Sequence, residues 1–292
     1  MDRRPSGLSR LLAHVLYDAM QFSERKADEA FYGSPFRRRI SVMTPDYIRR
    51  YCPNPARILD IGCGSGRYAL FFLDAGVRGT YMGVDITDQT WAVEHVPEDF
   101  VRSFTKIDAH HLSRLGGEYD FAISLTAYEH FEDDRLVTRE LAAVLAPGGR
   151  ALIVVPATWS YPLYGRHGFR RYTPSDIREL ARGAGLDLCD LRPIGGFASW
   201  LFHFLWFFPA HAVRLSLKTV IFAAYGFRKS AARARWPRVF DALDRLGNWH
   251  LARSWGRAIH KAGLLLAERL DQLLPFAPVG YIFILERPRS AN

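Results

Sequence analysis

Three alternate glycines form the most chemically informative segment of the sequence. They belong to DIGCGSG at residues 60–66, which follows a short apolar run and precedes a helical pattern. Glycine permits tight turns and lets a ligand approach the backbone closely, and the N-terminus of a helix presents unpaired N–H groups. This segment therefore predicts a loop that binds a nucleotide-like cofactor.

The spacing of these glycines separates two kinds of cofactor. A dinucleotide loop has the spacing GxGxxG, which lets the helix pack closely and lets the pyrophosphate meet its N-terminus. Here the spacing is GxGxG, and Asp60 ends the strand, where a carboxylate would oppose a pyrophosphate but could accept a hydrogen bond from an ammonium group. We therefore favour a nucleoside that carries an amino acid. A dinucleotide-dependent oxidoreductase is the disfavoured alternative.

Two further acids end predicted strands. Asp85 ends the second apolar run, and Asp108 ends the third. A single Asp after a strand is most often a turn or cap residue. Together with Asp60, however, these acids would share the carboxyl edge of one sheet, which is where open α/β sheets bind ligands. The pattern favours a binding role for all three.

Two histidines are candidate catalytic bases. His130 follows the fourth predicted strand, and His167 lies in the loop after the fifth. An imidazole can exchange a proton near neutral pH. The alternative for the Glu129-His130 pair is structural, with Glu129 at the start of the next helix and His130 packed beneath the sheet edge. One carboxylate and one imidazole are too few ligands for a metal site, so we predict no required metal.

The elements that must hold these residues alternate between strands and helices. Five short apolar runs are ARILDIG, YMGVDI, FTKID, YDFAISL and GRALIVVP, and the helical pattern DDRLVTRELAAVLAPGG is expected to close at Pro-Gly-Gly. Continuous apolar strands separated by helices are typical of a parallel sheet buried on both faces. A helix capped by Thr173 then precedes a sixth strand, LDLCDLRPI, and VGYIFILERP predicts a seventh.

Helical patterns also precede the sheet. Apolar residues three and four apart predict an amphipathic helix over 8–20, and a second helix is predicted from about Pro45 to Tyr51. The first residues lack the long apolar run and cleavage site of a secretory signal. Three widely spaced cysteines build neither a disulfide framework nor a CxxC metal site. We therefore expect a cytoplasmic protein in a reducing compartment.

Five elements in this order resemble the class I S-adenosylmethionine-dependent methyltransferases, in particular their small-molecule group. They are ILDIGCGSG, GVD, KIDA, a strand and loop ending in EH, and VLAPGG, spread over roughly 57–191 and followed by the final strand. The resemblance implies an α/β fold with a Rossmann-like sheet of seven strands. It also implies S-adenosyl-L-methionine as cofactor and S-adenosyl-L-homocysteine as product.

The resemblance assigns cofactor contacts residue by residue. The loop at 60–66 would hold the methionine portion, Asp85 both ribose hydroxyls, Ile86 the adenine face, and Asp108 with Ala109 the adenine amino group. Other loop and strand-end residues complete the predicted cofactor site: Asp60, Gly62, Cys63, Gly64, Gly66 and Leu125. Some related quinone O-methyltransferases have a further acid three residues before the Glu-His pair, where this sequence has Thr126.

About eighty residues with a helical pattern separate the last two predicted strands, which is too long for a loop. Between Arg192 and Arg214 there is no charged residue, and the run PIGGFASWLFHFLWFFPAHAV is rich in aromatics. Gly195, Gly196 and Pro209 are expected to limit the helix to roughly thirteen residues, too short to span a bilayer. A second short apolar run, TVIFAAYGF, follows.

Basic charge is concentrated in the same region. The net charge is +9, and residues 214–261 hold eleven basic and two acidic residues, which accounts for the whole excess. Basic residues beside an apolar segment predict a patch over 197–261 that enters one leaflet and binds anionic head groups. The alternative is a helical lid or a dimer interface. Nucleic acid is disfavoured because SLTAYEH stands where base-methylating enzymes have an Asn/Asp-Pro-Pro-aromatic signature.

These observations divide the chain into an N-terminal helical cover (1–52), a cofactor domain (53–196 and 277–292) and a helical insertion (197–276). A composition of 49% hydrophobic and 14% aromatic residues excludes a disordered chain. We expect methyl transfer, first to oxygen, on a small-molecule or lipid-linked acceptor by a protein that is peripheral or monotopic at the inner membrane face. The alternatives are a soluble natural-product or sugar methyltransferase and a non-catalytic scaffold. A homo-oligomer stays open.

Overall fold

Seven strands form one mixed sheet in the computed structural model, which describes residues 34–88, 100–164, 168–226, 228–246 and 253–289. The predicted helix at 8–20 and His167 lie outside the described residues. The order across the sheet is β3-β2-β1-β4-β5-β7-β6. The strands are β1 Ala56–Ile61, β2 Gly79–Asp85, β3 Phe100–Lys106, β4 Tyr119–Leu125, β5 Leu145–Pro156, β6 Asp187–Ile194 and β7 Gly280–Glu286.

The strand directions bring the carboxyl ends of β1–β6 to one edge of the sheet. The first five strands run parallel, and β7 runs antiparallel to both of its neighbours, β5 and β6. Gly280, at the start of β7, pairs with both Pro156 and Ile194, so β6 also ends at the carboxyl edge of β1–β5. This topology confirms the predicted α/β, Rossmann-like sheet of seven strands.

Helices cover both faces of the sheet and fill the segment between β6 and β7. Three short 3-10 turns lie at 109–115, 128–130 and 158–160. The helices are α1 Pro35–Tyr51, α2 Ala69–Asp74, α3 Asp134–Val144, α4 Tyr161–Tyr164, α5 Pro174–Gly183, α6 Phe197–Ala224, α7 Lys229–Arg235, α8 Pro237–Leu246 and α9 Ser254–Leu270.

Alternation along the strands divides the core into two clusters, one on each face of the sheet. Leu59 and Ile61 of β1 belong to the cluster that α3 and α5 cover, and Ile58 belongs to the cluster that α1 and α2 cover. In β5, Val155 and Val154 divide in the same way. Successive side chains of a strand point to opposite faces, so an apolar run of this kind must be covered on both.

The start of α1 corrects the helix predicted from about Pro45. The helix begins ten residues earlier, after Ser34, whose hydroxyl accepts a hydrogen bond from the Arg37 backbone N–H at 3.3 Å. Pro35 occupies the first turn, where a missing N–H costs nothing. Pro45 lies inside the helix instead of at its start. An ion pair joins α1 to α9, in which Arg38 Nε donates to Glu268 Oε1 at 2.7 Å.

The sequence predicted the start of α5 correctly but not the end of α3. Thr173 caps α5 as predicted, because its hydroxyl accepts from the Asp176 backbone N–H at 3.3 Å, and Asp176 Oδ2 accepts from the Thr173 N–H at 2.7 Å. The predicted closure of α3 by Pro-Gly-Gly is wrong. The helix ends at Val144, and the Pro-Gly-Gly segment lies in β5, which begins at Leu145.

The predicted break at Pro209 is also wrong. A single helix, α6, runs for 28 residues with Pro209 inside it, and it takes in most of the run that was predicted as a second apolar segment. A proline inside a helix costs about 3 kcal/mol, and α6 packs against both α8 and α9, which offsets that loss. Within the described ranges, none of the helices has both the length and the apolar character that crossing a bilayer requires.

The segment from α6 to α9 leaves and re-enters the sheet at one point. The backbone N–H of Val279, just before β7, donates to the carbonyl oxygen of Ile194, the last residue of β6, at 3.0 Å. The two ends of the inserted segment are therefore hydrogen-bonded neighbours at the carboxyl edge of the sheet.

Candidate functional site

A cleft of about 630 Å³ opens at the carboxyl edge, where β1, β2, β3 and β4 end. The parallel direction of these strands brings residues from distant parts of the sequence to one place. Six of the predicted site residues line the cleft: Gly62, Asp85, Ile86, Asp108, Ala109 and His130.

The glycine loop is shaped by backbone angles that disfavour other residues. Gly62, Gly64 and Gly66 have φ angles of 72°, 50° and 68°. A Cβ atom at Gly62 would lie 2.6 Å from the Cβ of Ala127, whereas one at Gly64 would meet nothing within 4 Å. The loop is thus closely backed at Gly62 and open at Gly64.

Asp85 is held at the end of β2 by the loop on one side and by its own turn on the other. Its Oδ2 accepts from the Gly64 backbone N–H at 3.1 Å, and its Oδ1 accepts from the N–H and hydroxyl of Thr87 at 2.9 and 2.8 Å. The carboxylate is therefore oriented at the cleft wall. The next residue, Ile86, is 65% exposed and presents an apolar surface to the cleft.

Asp60 lies behind the loop and not in the cleft wall. Its carboxyl group is fully buried and accepts a hydrogen bond from the Tyr81 hydroxyl, while its Oδ1 has no hydrogen-bond partner among the described residues. Burial raises the pKa of Asp60 to about 7, although the Tyr81 bond opposes this shift. Cys63 and Leu125 are likewise buried, at 3% exposure each. The structure therefore brings only part of the predicted set to the cleft surface.

The Glu129-His130 pair lies in a short 3-10 turn before α3. His130 is exposed and lines the cleft, so it is not packed beneath the sheet edge. Glu129 is the buried member, at 4% exposure, and burial raises its pKa to about 7, with nearby Arg171 and Arg37 opposing the rise. His130, and not Glu129, is therefore the member of the pair that lies at the cleft surface.

One wall of the cleft was missed in the sequence. It contains Phe131, Asp133 and Phe169, together with His110 beside Asp108. The loops meet because the backbone N–H of Phe169 donates to the Glu129 carbonyl oxygen, and no local motif encodes that contact. The only signal was the position of His110, two residues after a predicted ligand-binding acid.

Two arginines in the loop after β5 have partners within the protein. Arg170 donates to the Glu132 carbonyl oxygen at 2.7 Å and forms an ion pair with Asp134. Arg171 is 7% exposed, and its guanidinium lies over the ring of Tyr161, 5.2 Å from the centroid. Both arginines stabilise the loop after β5.

Among the described residues there is no group of three or more His, Cys, Asp or Glu side chains that could hold a metal ion.

The comparison with known families decides the class of protein. The family described as "Methyltransferase domain" matches residues 29–191, which is more than half of the chain. The chain belongs to this methyltransferase family. Membership confirms the resemblance to the class I S-adenosylmethionine-dependent enzymes and, with it, S-adenosyl-L-methionine as the cofactor.

Several curated methyltransferases resemble the same part of the chain. The ubiquinone biosynthesis O-methyltransferases of Aromatoleum aromaticum and Cupriavidus pinatubonensis are 27% and 28% identical over 46% and 47% of this chain, and 65% and 62% of their own lengths. The 2-methyl-6-phytyl-1,4-hydroquinone methyltransferase of Synechocystis sp. is 32% identical over 37% of this chain and 33% of its own. The chain therefore spans less than two thirds of the length of each of these relatives.

Proposed function

We propose that this methyltransferase transfers a methyl group from S-adenosyl-L-methionine to an oxygen atom of a small or lipid-linked acceptor at a membrane surface. The observation that carries the proposal is the cleft in which the glycine loop, Asp85 and Asp108 meet at the ends of parallel strands. This is the edge at which such sheets bind ligands.

The residues present suit the cofactor. Asp85 is oriented to accept hydrogen bonds from the ribose hydroxyls, and Ile86 offers an apolar surface to the adenine ring. Asp108 with Ala109 lies where the adenine amino group would be bound. The open side of Gly64 leaves room for the methionine portion, whereas Asp60 is fully buried and supports the loop from behind. When bound, the cofactor supplies an activated methyl group.

His130 is our candidate for the base that removes the acceptor proton. It is an exposed imidazole in the cleft wall, and a hydroxyl acceptor must lose its proton as the new bond forms. His167 stays a second candidate on sequence grounds. The chain's other contribution is positioning and exclusion of water, since the positive charge of a sulfonium donor disappears during transfer.

Exposed aromatic side chains support an apolar acceptor. Phe169 lines the cleft and is 62% exposed, and Trp159 and Tyr161, which follow β5, are exposed by 54% and 49%. The Trp159 carbonyl oxygen accepts from the indole N–H of Trp200 at 2.7 Å, which joins this loop to the first turns of α6. The aromatic surface thus lies between the cleft and the inserted helices. Relatives named for quinone and hydroquinone methylation are consistent with such an acceptor.

The inserted helices support a membrane-surface location. On α9, exposed apolar residues lie four or seven positions apart: Trp255, Ile259, Leu266 and Leu270. Four residues with this spacing share one face of a helix, and the exposed Leu273 follows just after the helix ends. Exposed Arg253, Lys261 and Arg269 accompany them. An apolar face with basic neighbours suits one leaflet of an anionic membrane, where each basic residue contributes about 1 kcal/mol.

Calorimetry tests the cofactor site. Wild-type protein is expected to bind S-adenosyl-L-homocysteine and not NAD, and Asp85→Ala is expected to weaken binding at least tenfold, because a hydrogen bond to a charged group contributes about 1.5–3 kcal/mol. Absence of binding to the wild type would remove the proposed activity. Equal binding by Asp85→Ala would remove the ribose assignment.

Vesicle flotation tests the membrane surface separately. The protein is expected to float with phosphatidylglycerol vesicles and less with phosphatidylcholine vesicles, and Leu266→Glu is expected to reduce flotation. Val101→Glu is the matched control, because Val101 is also an exposed aliphatic residue but lies on β3 at the sheet edge. If the wild type stays in the soluble fraction, the inserted helices serve instead as a lid or a dimer interface.

A further inference from the structure

His110 joins two loops of the cleft wall through its two ring nitrogens. Its Nδ1 lies 2.6 Å from Oδ1 of Asp108, and the backbone N–H of Asp133 donates to its Nε2 at 3.2 Å. The ring also meets the ring of Phe131 edge-to-face, with centroids 6.3 Å apart. Asp108 follows β3 and Asp133 precedes α3, so one side chain connects loops from two different parts of the chain.

The partners of His110 determine which ring nitrogen carries the proton. A backbone N–H can only donate, so Nε2 must accept from Asp133, and a neutral imidazole then carries its proton on Nδ1. Nδ1 therefore donates to Oδ1 of Asp108. The backbone N–H of His110 donates to the same oxygen at 3.0 Å, and this contact, with that of the ring, lowers the pKa of Asp108.

Both hydrogen bonds from His110 fall on one oxygen of the carboxylate. Among the described residues, Oδ2 of Asp108 receives no hydrogen bond, and the side chain is 42% exposed. The carboxylate thus keeps one oxygen for a donor in the cleft, while the other is fixed by the protein. Without the ring, only the His110 backbone N–H would hold the Asp108 carboxylate. The loop at Asp133 would also lose the hydrogen bond that connects it, through the ring, to Asp108.

We propose that His110 is a positioning residue for cofactor binding. It turns Oδ2 of Asp108 toward the amino group of the adenine, and it holds the loop at 131–133 next to Asp108. The inference rests on the proposed cofactor site. His110 acts through Asp108 and Asp133 and takes no part in the transfer of the methyl group. Its effect is on the affinity for the nucleoside and on the choice of nucleobase.

A pair of ligands tests this role. S-inosyl-L-homocysteine carries a carbonyl oxygen where S-adenosyl-L-homocysteine carries the amino group. The wild type is expected to prefer the adenosine compound in calorimetry. His110→Ala is expected to bind it about ten- to hundredfold more weakly, because hydrogen bonds to a charged group are lost, and to lose most of the preference for adenine. A residue that only stabilises the fold would weaken both ligands equally.

Two substitutions separate the two contacts of the ring. His110→Asn keeps an N–H donor near the position of Nδ1 and is expected to retain the preference for adenine. His110→Gln extends an acceptor toward Asp133 but not a donor to Asp108, and it is expected to lose the preference. This second variant also serves if His110→Ala does not fold.

His111→Ala is the matched control, since His111 is the adjacent histidine, is exposed and stands outside the cleft wall. It is expected to keep the wild-type preference for adenine, because His111 acts on Asp108 only through its electrostatic influence. Binding of neither ligand by the wild type would refute the cofactor site itself. A wild type that prefers adenine, with His110→Ala and His110→Gln keeping that preference, would overturn the role of His110 alone.

Discussion

Replacing Gly62 with alanine is expected to destabilise the fold by about 2–5 kcal/mol. The φ angle of 72° places an alanine in the left-handed region, which costs an L-residue about 1–2 kcal/mol. The new Cβ would also lie 2.6 Å from the Cβ of Ala127, and overpacking of this kind costs about 1–3 kcal/mol. Both atoms belong to short segments joined to strands, so neither can move without disturbing the sheet.

Gly64→Ala is the matched substitution two residues along the same loop. Its φ angle is 50°, but a Cβ there meets nothing within 4 Å, so only the backbone cost of about 1–2 kcal/mol is expected. The added methyl group would occupy the open side of the loop, where the proposed cofactor approaches the backbone. Gly64→Ala should therefore fold but bind S-adenosyl-L-homocysteine at least tenfold more weakly.

Urea unfolding followed by tryptophan fluorescence compares the two variants, and calorimetry measures their binding. A second substitution, Ala127→Gly, removes the methyl group that opposes Gly62→Ala and is expected to recover most of the packing loss but none of the backbone strain. Equal stability of the two single variants, or no recovery in the double variant, would refute the packing argument. Undiminished binding by Gly64→Ala would refute the position of the cofactor at the loop.

Three further predictions concern a helix cap, a buried carboxyl group and an ion pair between two helices. Thr173→Ala should lower the free energy of unfolding by about 1 kcal/mol in urea titrations, because α5 loses its cap. Burial raises the pKa of Glu129 from 4.5 to about 7, so the folded protein holds a proton that the unfolded chain releases between these values. The free energy of unfolding should therefore fall by up to about 3 kcal/mol from this group as pH rises from about 4.5 to 7, and Glu129→Gln should remove that part of the slope. Arg38→Met should lose about 1.5–3 kcal/mol, because it removes the charged hydrogen bonds to the partly buried Glu268, and Arg38→Met with Glu268→Met should recover most of that loss in the same titration.

The sheet was predictable because its central strands are buried on both faces. A run such as ILDI must alternate between two core clusters, and that requirement is visible in a few consecutive residues. The start of β3 was missed by four residues because it is an edge strand, in which Val101 is 75% exposed and the apolar run is interrupted. Exposure weakens the sequence pattern of a strand.

The residues of the cleft also differ in how far the sequence predicted their positions. Asp85 and Asp108 end strands, so their convergence followed from the direction of the sheet alone. Phe169 and His110 reach the cleft through contacts between loops that are distant in sequence, and no periodicity encodes those contacts. Pro209 misled the prediction for a related reason, since packing against α8 and α9 outweighs a local preference that the sequence displays openly.

The hydrogen bond between Val279 and Ile194 has a structural consequence. Because the segment α6–α9 starts and finishes at adjoining backbone atoms, a short turn or another set of helices could close the same gap between β6 and β7. The glycine loop and the strand-end acids would keep their places through such an exchange. A change in the inserted helices would thus leave the cofactor half of the sheet intact.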